Sequence, residues 1–207
     1  MNRYSIFFEQ NNHKVTLHEN IIDILFQHKE EIYIKFNDLL GIFLIDYIAI
    51  KIIDPNNELV IFSITPSVEY NLLVQGLWKY DHSFTMNFQK NNVFYVWEKA
   101  YYETYFNEIK SIKEFKHGFT FGFNISKQID SFHFTYSYAT RSKNSKLYHY
   151  YHSHVNELSA LGDYSYKLIR SIYAKYCNPN FTLPSISCKQ NDPPKFPLLK
   201  LMVNNKR

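Results

Sequence analysis

The sequence predicts a mixed α/β domain, a central antiparallel sheet with helices packed on both faces in an α-β-α sandwich. Three observations carry that expectation. Two pairs of β-rich segments are each joined by a short turn, helical periodicity precedes, separates and follows them, and the apolar content suits a single core. With 207 residues, 45% of them hydrophobic and 18% aromatic, including 18 Tyr and 18 Phe, the chain can bury one sizeable interior.

The first helix is expected over about Thr16 to Lys29. Thr16 and Glu19 have capping-box spacing, and Leu17, Ile21, Ile24 and Leu25 recur at helical intervals. A second helix is expected from Glu31 to Gly41, with Ile32, Phe36, Leu39 and Leu40 inward. Tyr47 to Ile53 and Glu58 to Thr65 are rich in Ile, Val and Phe and flank Asp54-Pro55-Asn56-Asn57. That arrangement reads as a β-hairpin. Pro66 suits a first helical position and opens a helix to Gln75. Gly76 to Asn92 is irregular, and Tyr101 to Phe115 interleaves charge with Tyr105, Phe106, Ile109 and Ile112 as an amphipathic helix does.

Gly118 to Ile125 and Ser131 to Thr140 form a second hairpin. Alternation places Phe119, Phe121 and Phe123 on one face, with Phe132, Phe134, Tyr136 and Tyr138. Thr120, Gly122, His133, Thr135 and Ser137 take the other. A strand face this small and polar leaves room for a covering helix or for a ligand. The last helix is expected from Lys146 to Tyr176, with Tyr151, Val155, Leu158, Leu161, Ser165, Leu168, Ile172 and Tyr176 in steps of three and four and Gly162 as the place for a kink. Residues 1–177 thus read as one domain and 178–207 as a Pro-rich tail.

Composition narrows the function classes. The 23 basic and 19 acidic residues, net +4, are scattered, and neither Arg141 to Lys146 nor Lys200 to Arg207 is dense enough to track phosphates. Direct nucleic-acid binding is not expected. The N-terminus lacks the order of a signal peptide, and the longest apolar run, Leu39 to Ile53, is interrupted by Asp46 and Lys51 and too short to span a bilayer. Cys177 and Cys188 match neither a zinc knuckle nor a redox pair. A cytoplasmic protein without membrane attachment is expected.

No phosphate-cradling glycine loop and no nucleophile elbow is present, so no cofactor is expected. His149, His152 and His154 do not share one helix face and have no carboxylate at a matching position, so no metal is expected either. Nothing requires an enzyme; the only acid/base guess is His117 or His133 beside Asp81.

The remaining chemistry lies between Tyr70 and Gly118. Asp81 is embedded among Leu77, Trp78, Tyr80 and Phe84, and burying its carboxylate requires hydrogen-bond donors from the protein or from a ligand. Its ordinary reading is a loop carboxylate capping a turn or helix. Trp78 and Trp97 read ordinarily as core anchors, and Gly118 as a tight turn.

In order, these positions resemble the N-terminal autoinducer-binding domain of LuxR-type transcription regulators. Tyr70 stands where that family has its first aromatic, Asp81 matches its aspartate, and Trp97 falls sixteen residues later. Gly118 in Phe115-Lys116-His117-Gly118-Phe119 corresponds to a strand-opening glycine. Ser137 in Tyr136-Ser137-Tyr138-Ala139 matches a Thr or Ser that faces the ligand. The resemblance covers about residues 16 to 176. His82 replaces the usual proline after the aspartate, Val74 stands at an expected Tyr, and a helix-turn-helix is missing after Cys177.

The resemblance implies a pocket for an acyl-homoserine lactone. Asp81 would accept the ligand amide N–H, Trp97 would donate to a ring carbonyl, and Ser137 and Tyr70 would hold the remaining polar atoms. Val74 and Thr120 complete the expected lining. The implied protein is a stand-alone sensor of a small, apolar-tailed molecule. It would act as a homodimer or paired with a full-length regulator through its long last helix, whose Tyr and Leu positions exceed what one face needs. The alternative is a degenerate protein-interaction module of the same PAS- or GAF-like fold, its pocket filled by aromatics such as Phe121 or Tyr136.

Overall fold

The structure, a computed structural model, describes residues 15–91 and 93–186. The expectations for residues 187–207, including Cys188 and the basic end, lie outside the described residues. A mixed sheet is built from β1 (Thr16–Leu17), β2 (Tyr47–Ile53), β3 (Glu58–Ser63), β4 (Phe94–Val96), β5 (Phe121–Ile129) and β6 (Phe132–Thr140). Its order is β1-β3-β2-β6-β5-β4, antiparallel throughout except for the parallel pair β1–β3. The helices are α1 (Ile21–Gln27), α2 (Lys29–Phe36), α3 (Pro66–Val74), α4 (Met86–Asn91), α5 (Phe106–Lys113), α6 (Leu147–Ser153) and α7 (Val155–Tyr173), joined in places by single 3-10 turns. This is the α-β-α sandwich expected, with helices on both faces of the sheet.

Both hairpins form where the turn chemistry places them. The Asp54 carboxylate accepts the N–H groups of Asn56 and Glu58 at 2.8 and 2.9 Å, which closes the β2–β3 turn. Register then sets two chemically different faces. On one, Tyr47, Ala49 and Lys51 of β2 lie beside Ala139, Ser137 and Thr135 of β6, which lie beside Gly122, Asn124 and Ser126 of β5. On the other, Phe123, Phe134, Tyr136 and Tyr138 are buried against α6 and α7. There the Tyr138 hydroxyl donates to Leu158 O at 3.0 Å and the Tyr136 hydroxyl to Asp163 at 2.7 Å.

Several local expectations give way to tertiary contacts. Thr16 and Leu17 are strand, not helix: the N–H groups of Thr16 and His18 bond to Asn57 O and Leu59 O, so the open edge of β3 outcompetes the capping box. Helix α1 therefore starts at Ile21. Helix α2 stops at Phe36, followed by a 3-10 turn and by Gly41 at φ +83°. The expected helix from Tyr101 shortens to α5 because Tyr101 pairs with Asp81 and the Tyr102 N–H bonds to Tyr80 O at 2.8 Å. Phe119 leaves its expected face: β5 begins only at Phe121, and the Phe119 ring packs on Tyr47 and Trp97 instead.

The long C-terminal helix breaks at His154, whose Nδ1 lies 2.7 Å from Tyr150 O, and not at Gly162. Gly162 stays helical and serves packing. A Cβ there would fall 2.0 Å from Tyr136 Cδ2, and one on Gly122 would fall 2.1 Å from Trp97 Cδ2. Each glycine thus admits an aromatic ring onto the backbone, one on each side of the sheet. No helix among the described residues is long and apolar enough to cross a membrane.

Alanine in a helix interior usually stabilises relative to glycine by about 0.5–1 kcal/mol, but overpacking costs about 1–3 kcal/mol. Gly162→Ala is therefore expected to lower the urea midpoint, as is Gly122→Ala. An unchanged or raised midpoint for Gly162→Ala would contradict the ring contact.

Candidate functional site

Lys51, Ser137, Thr135, Asn124 and Ser126, all buried, form a polar floor at the centre of the sheet. Its cover is the chain between α3 and α5, with Asp81, Ser83, Phe84, Gln89, Tyr95, Trp97 and Tyr101 buried beneath the surface. Polar side chains this central are unusual where an apolar core would fold as well.

Asp81 is fully buried, and the protein supplies both of its partners. Oδ1 accepts the Ser83 N–H at 3.0 Å, so Asp81 caps the 3-10 turn His82–Phe84. Oδ2 accepts Lys113 Nζ at 2.8 Å. Burial pushes the Asp81 carboxyl up, but the Lys113 and Lys51 ammonium groups outweigh it and hold the carboxyl below its usual range. Lys113 stands in the last turn of α5, a favourable place for a cation. Its Nζ also lies 4.5 Å from the Trp97 ring centre and 4.9 Å from that of Tyr101.

Trp97 is likewise engaged from within. Its indole N–H is shared between Ser137 Oγ at 3.0 Å and Asn124 Oδ1 at 3.2 Å. Lys51 Nζ donates to Ser83 Oγ at 2.7 Å and sits 3.8 Å from the Phe84 ring centre. Burial lowers Lys51 to about 7, against the pull of Asp81 and reinforced by Lys113. Glu69 on α3 accepts the Tyr47 hydroxyl, and burial raises its carboxyl. Two side-chain amides remain incompletely paired in this interior, at Asn124 Nδ2 and Gln89 Oε1.

Of the six residues expected to line a pocket, Asp81, Trp97 and Ser137 converge on this interior. Tyr70 and Val74 do not: they lie on the outer side of α3, 37% and 55% exposed, with Tyr70 edge-on to Phe26. Thr120 is exposed as well, its hydroxyl donating to the carbonyls of Thr140 and Ser142, because it precedes β5 and does not share the strand alternation. Neither His117 nor His133 bonds to Asp81; His117 stacks on Phe119. Among the described residues no group of three His, Cys, Asp or Glu side chains is placed to hold a metal.

Sequence reasoning missed Lys51 and Lys113. Both had a signal. Lys113 continues the inward spacing of Phe106 and Ile109, and Lys51 is the single charge in the all-buried strand β2.

No protein-family model matches the chain, and no curated protein sequence does. Among solved structures the chain is similar to Escherichia coli SdiA, a LuxR-type quorum-sensing regulator, at 16% identity and a TM-score of 0.49, over 74% of this chain and 67% of that one. It is also similar to SdiA in complex with octanoyl-rac-glycerol, at 12% identity and a TM-score of 0.45, over 77% and 65%. The chain thus spans about two thirds of SdiA's length. The functional reading rests on the side chains themselves.

Removing one partner of a buried ion pair costs about 3–5 kcal/mol, whereas removing both is far milder. Lys113→Met is expected to lose stability on that scale, and the double variant Asp81→Asn/Lys113→Met to recover much of it in a urea double-mutant cycle. Lys51 carries the opposite sign. The unfolded chain keeps this proton to near 10.5, while the folded one releases it at about 7, so stability rises with pH across that window. Lys51→Met is expected to flatten the rise in a pH series of urea midpoints.

Proposed function

We propose that residues 1–177 form a cytoplasmic, small-molecule-sensing regulatory domain of LuxR type. A partly apolar ligand enters between the polar sheet floor and its cover of Phe84, Trp97 and Tyr101. Asp81, Trp97 and Ser137 are its proposed lining, and Tyr70, Val74 and Thr120 drop out of it. The domain acts through dimerisation, with itself or with a full-length regulator, and performs neither catalysis nor direct DNA reading.

The observation that supports this reading is the buried polar cluster itself. Charges and amides at the centre of a sheet are costly, and each incompletely paired amide forfeits about 1–3 kcal/mol that a ligand's polar atoms would return. A fold selected for stability alone would place Ile or Leu there. A second reading, an interaction module that takes no ligand, is favoured by a specific observation: both Asp81 oxygens and the Trp97 N–H already have protein partners. The side chains in that place are Lys113 and Trp97; Phe121 and Tyr136 lie on the opposite face.

Thermal denaturation with a panel of acyl-homoserine lactones and fatty acids separates the two. Saturation at about 100-fold over Kd is worth about 2.7 kcal/mol, a rise of several degrees that Ser137→Val should diminish. The absence of any shift across both ligand classes favours the interaction module. Sedimentation at rising concentration tests the dimer.

A further inference from the structure

Among the described residues Lys51 is a buried ammonium of the cluster with no ion-pair partner. It lies in β2 between Ile50 and Ile52, 3% exposed, and among the described residues no carboxylate comes within 4.0 Å of its Nζ. An ammonium offers three donors, and among the described residues the Ser83 hydroxyl accepts one, with the Phe84 ring beneath.

The charged groups around it do not fill the gap. Asp81 is bound by Lys113 and the Ser83 N–H, and Glu69 of α3 accepts the Tyr47 hydroxyl at Oε1 while its Oε2 has no partner among the described residues. Lys113 of α5 adds a second positive charge to the same interior. Its cross-strand neighbours, Thr135 and Ile61, are neutral. Asn124, farther along the same sheet face, has a further side-chain donor without an acceptor. Unpaired acceptors remain as well, at Glu69 Oε2 and Gln89 Oε1, but among the described residues neither forms an ion pair or hydrogen bond with Lys51 Nζ.

This bears on the kind of ligand it would take. A neutral amide donor aimed at Asp81 has to displace a charge-assisted bond from Lys113 and strand a buried ammonium. An acidic headgroup displaces nothing of that kind and supplies the counter-ion that Lys51 lacks. We propose that the buried site selects a small apolar-tailed carboxylate, seated on Lys51 with the Asn124 amide as a second donor, in preference to a neutral lactone seated on Asp81. The proposal rests on the ligand-sensing reading above.

A carboxylate on Nζ holds Lys51 protonated. Free Lys51 loses its proton at about 7, so binding above that pH takes up a proton and affinity falls as pH rises. Asp81 and Glu69 face the same space, but Asp81 stays charged throughout this range.

Calorimetry on the intact protein with decanoate and with N-decanoyl-homoserine lactone, below and above neutral pH and in buffers of different ionisation heat, tests it. Decanoate is expected to bind at least about tenfold more tightly than the lactone, a difference of about 1.4 kcal/mol. Its binding should take up protons above neutral pH, and Lys51→Met should weaken it by at least about tenfold, with unchanged circular dichroism. Proton uptake by the wild-type protein reads the proposal without any variant. Lactone binding without decanoate binding, or decanoate binding that is indifferent to Lys51→Met and to pH, overturns the proposal and leaves the sensing reading standing. Binding of neither overturns both.

Discussion

A lysine ammonium and a carboxylate held 2.8 Å apart, both buried, tie the last turn of α5 to the loop ahead of α4. The cost of burying both charges is met only while each keeps the other, so neither element can move alone. Lys113 also lies against the rings of Trp97 and Tyr101, and Asp81 pairs its backbone with Tyr101. The cover of the sheet is therefore assembled around one contact. Its residues come from three separate stretches of chain: the Asp81 loop, the segment from Trp97 to Tyr101, and α5.

The second constraint is close approach. Gly122 and Gly162 let aromatic rings rest directly on backbone, Trp97 from one side of the sheet and Tyr136 toward α7 on the other. The high aromatic content thus has a structural use on the α7 face, where Phe123, Phe134 and Tyr138 form a dense layer with Tyr151 and Tyr166. On the opposite face the same sheet turns polar. That asymmetry separates a packing face from a face with chemistry, and the positive charge of Lys51 lies on the latter.

Much of the site was legible. Asp81 stood out as a carboxylate in an apolar context, and its capping of the His82–Phe84 turn is the ordinary reading made concrete. Trp97 and Ser137 were both singled out, and they meet through one hydrogen bond across forty residues of sequence. Tyr70 and Val74 follow from order along the chain, which carries no information about which side of α3 faces out, and Thr120 follows from an alternation that begins only at Phe121. The lysines were overlooked because charge on a strand or helix reads as surface until its neighbours are known.

The sequence by itself determined what depends on neighbours along the chain: both hairpins with their turns, the proline-led start of α3, and the two-faced character of β5 and β6. Only the tertiary structure decided what depends on distant partners. The free edge of β3 turned Thr16 and Leu17 from a helix start into a strand, since unpaired backbone groups outweigh a local cap. The last helix breaks at His154, while Gly162 stays helical with the Tyr136 ring against it. Whether Asp81 waits for a donor was decided the same way: Lys113, thirty-two residues on in sequence, is brought to it by α5. Local propensity is worth tenths of a kcal/mol per residue, and burying or pairing a charge is worth several. Where the two compete, the long-range term prevails.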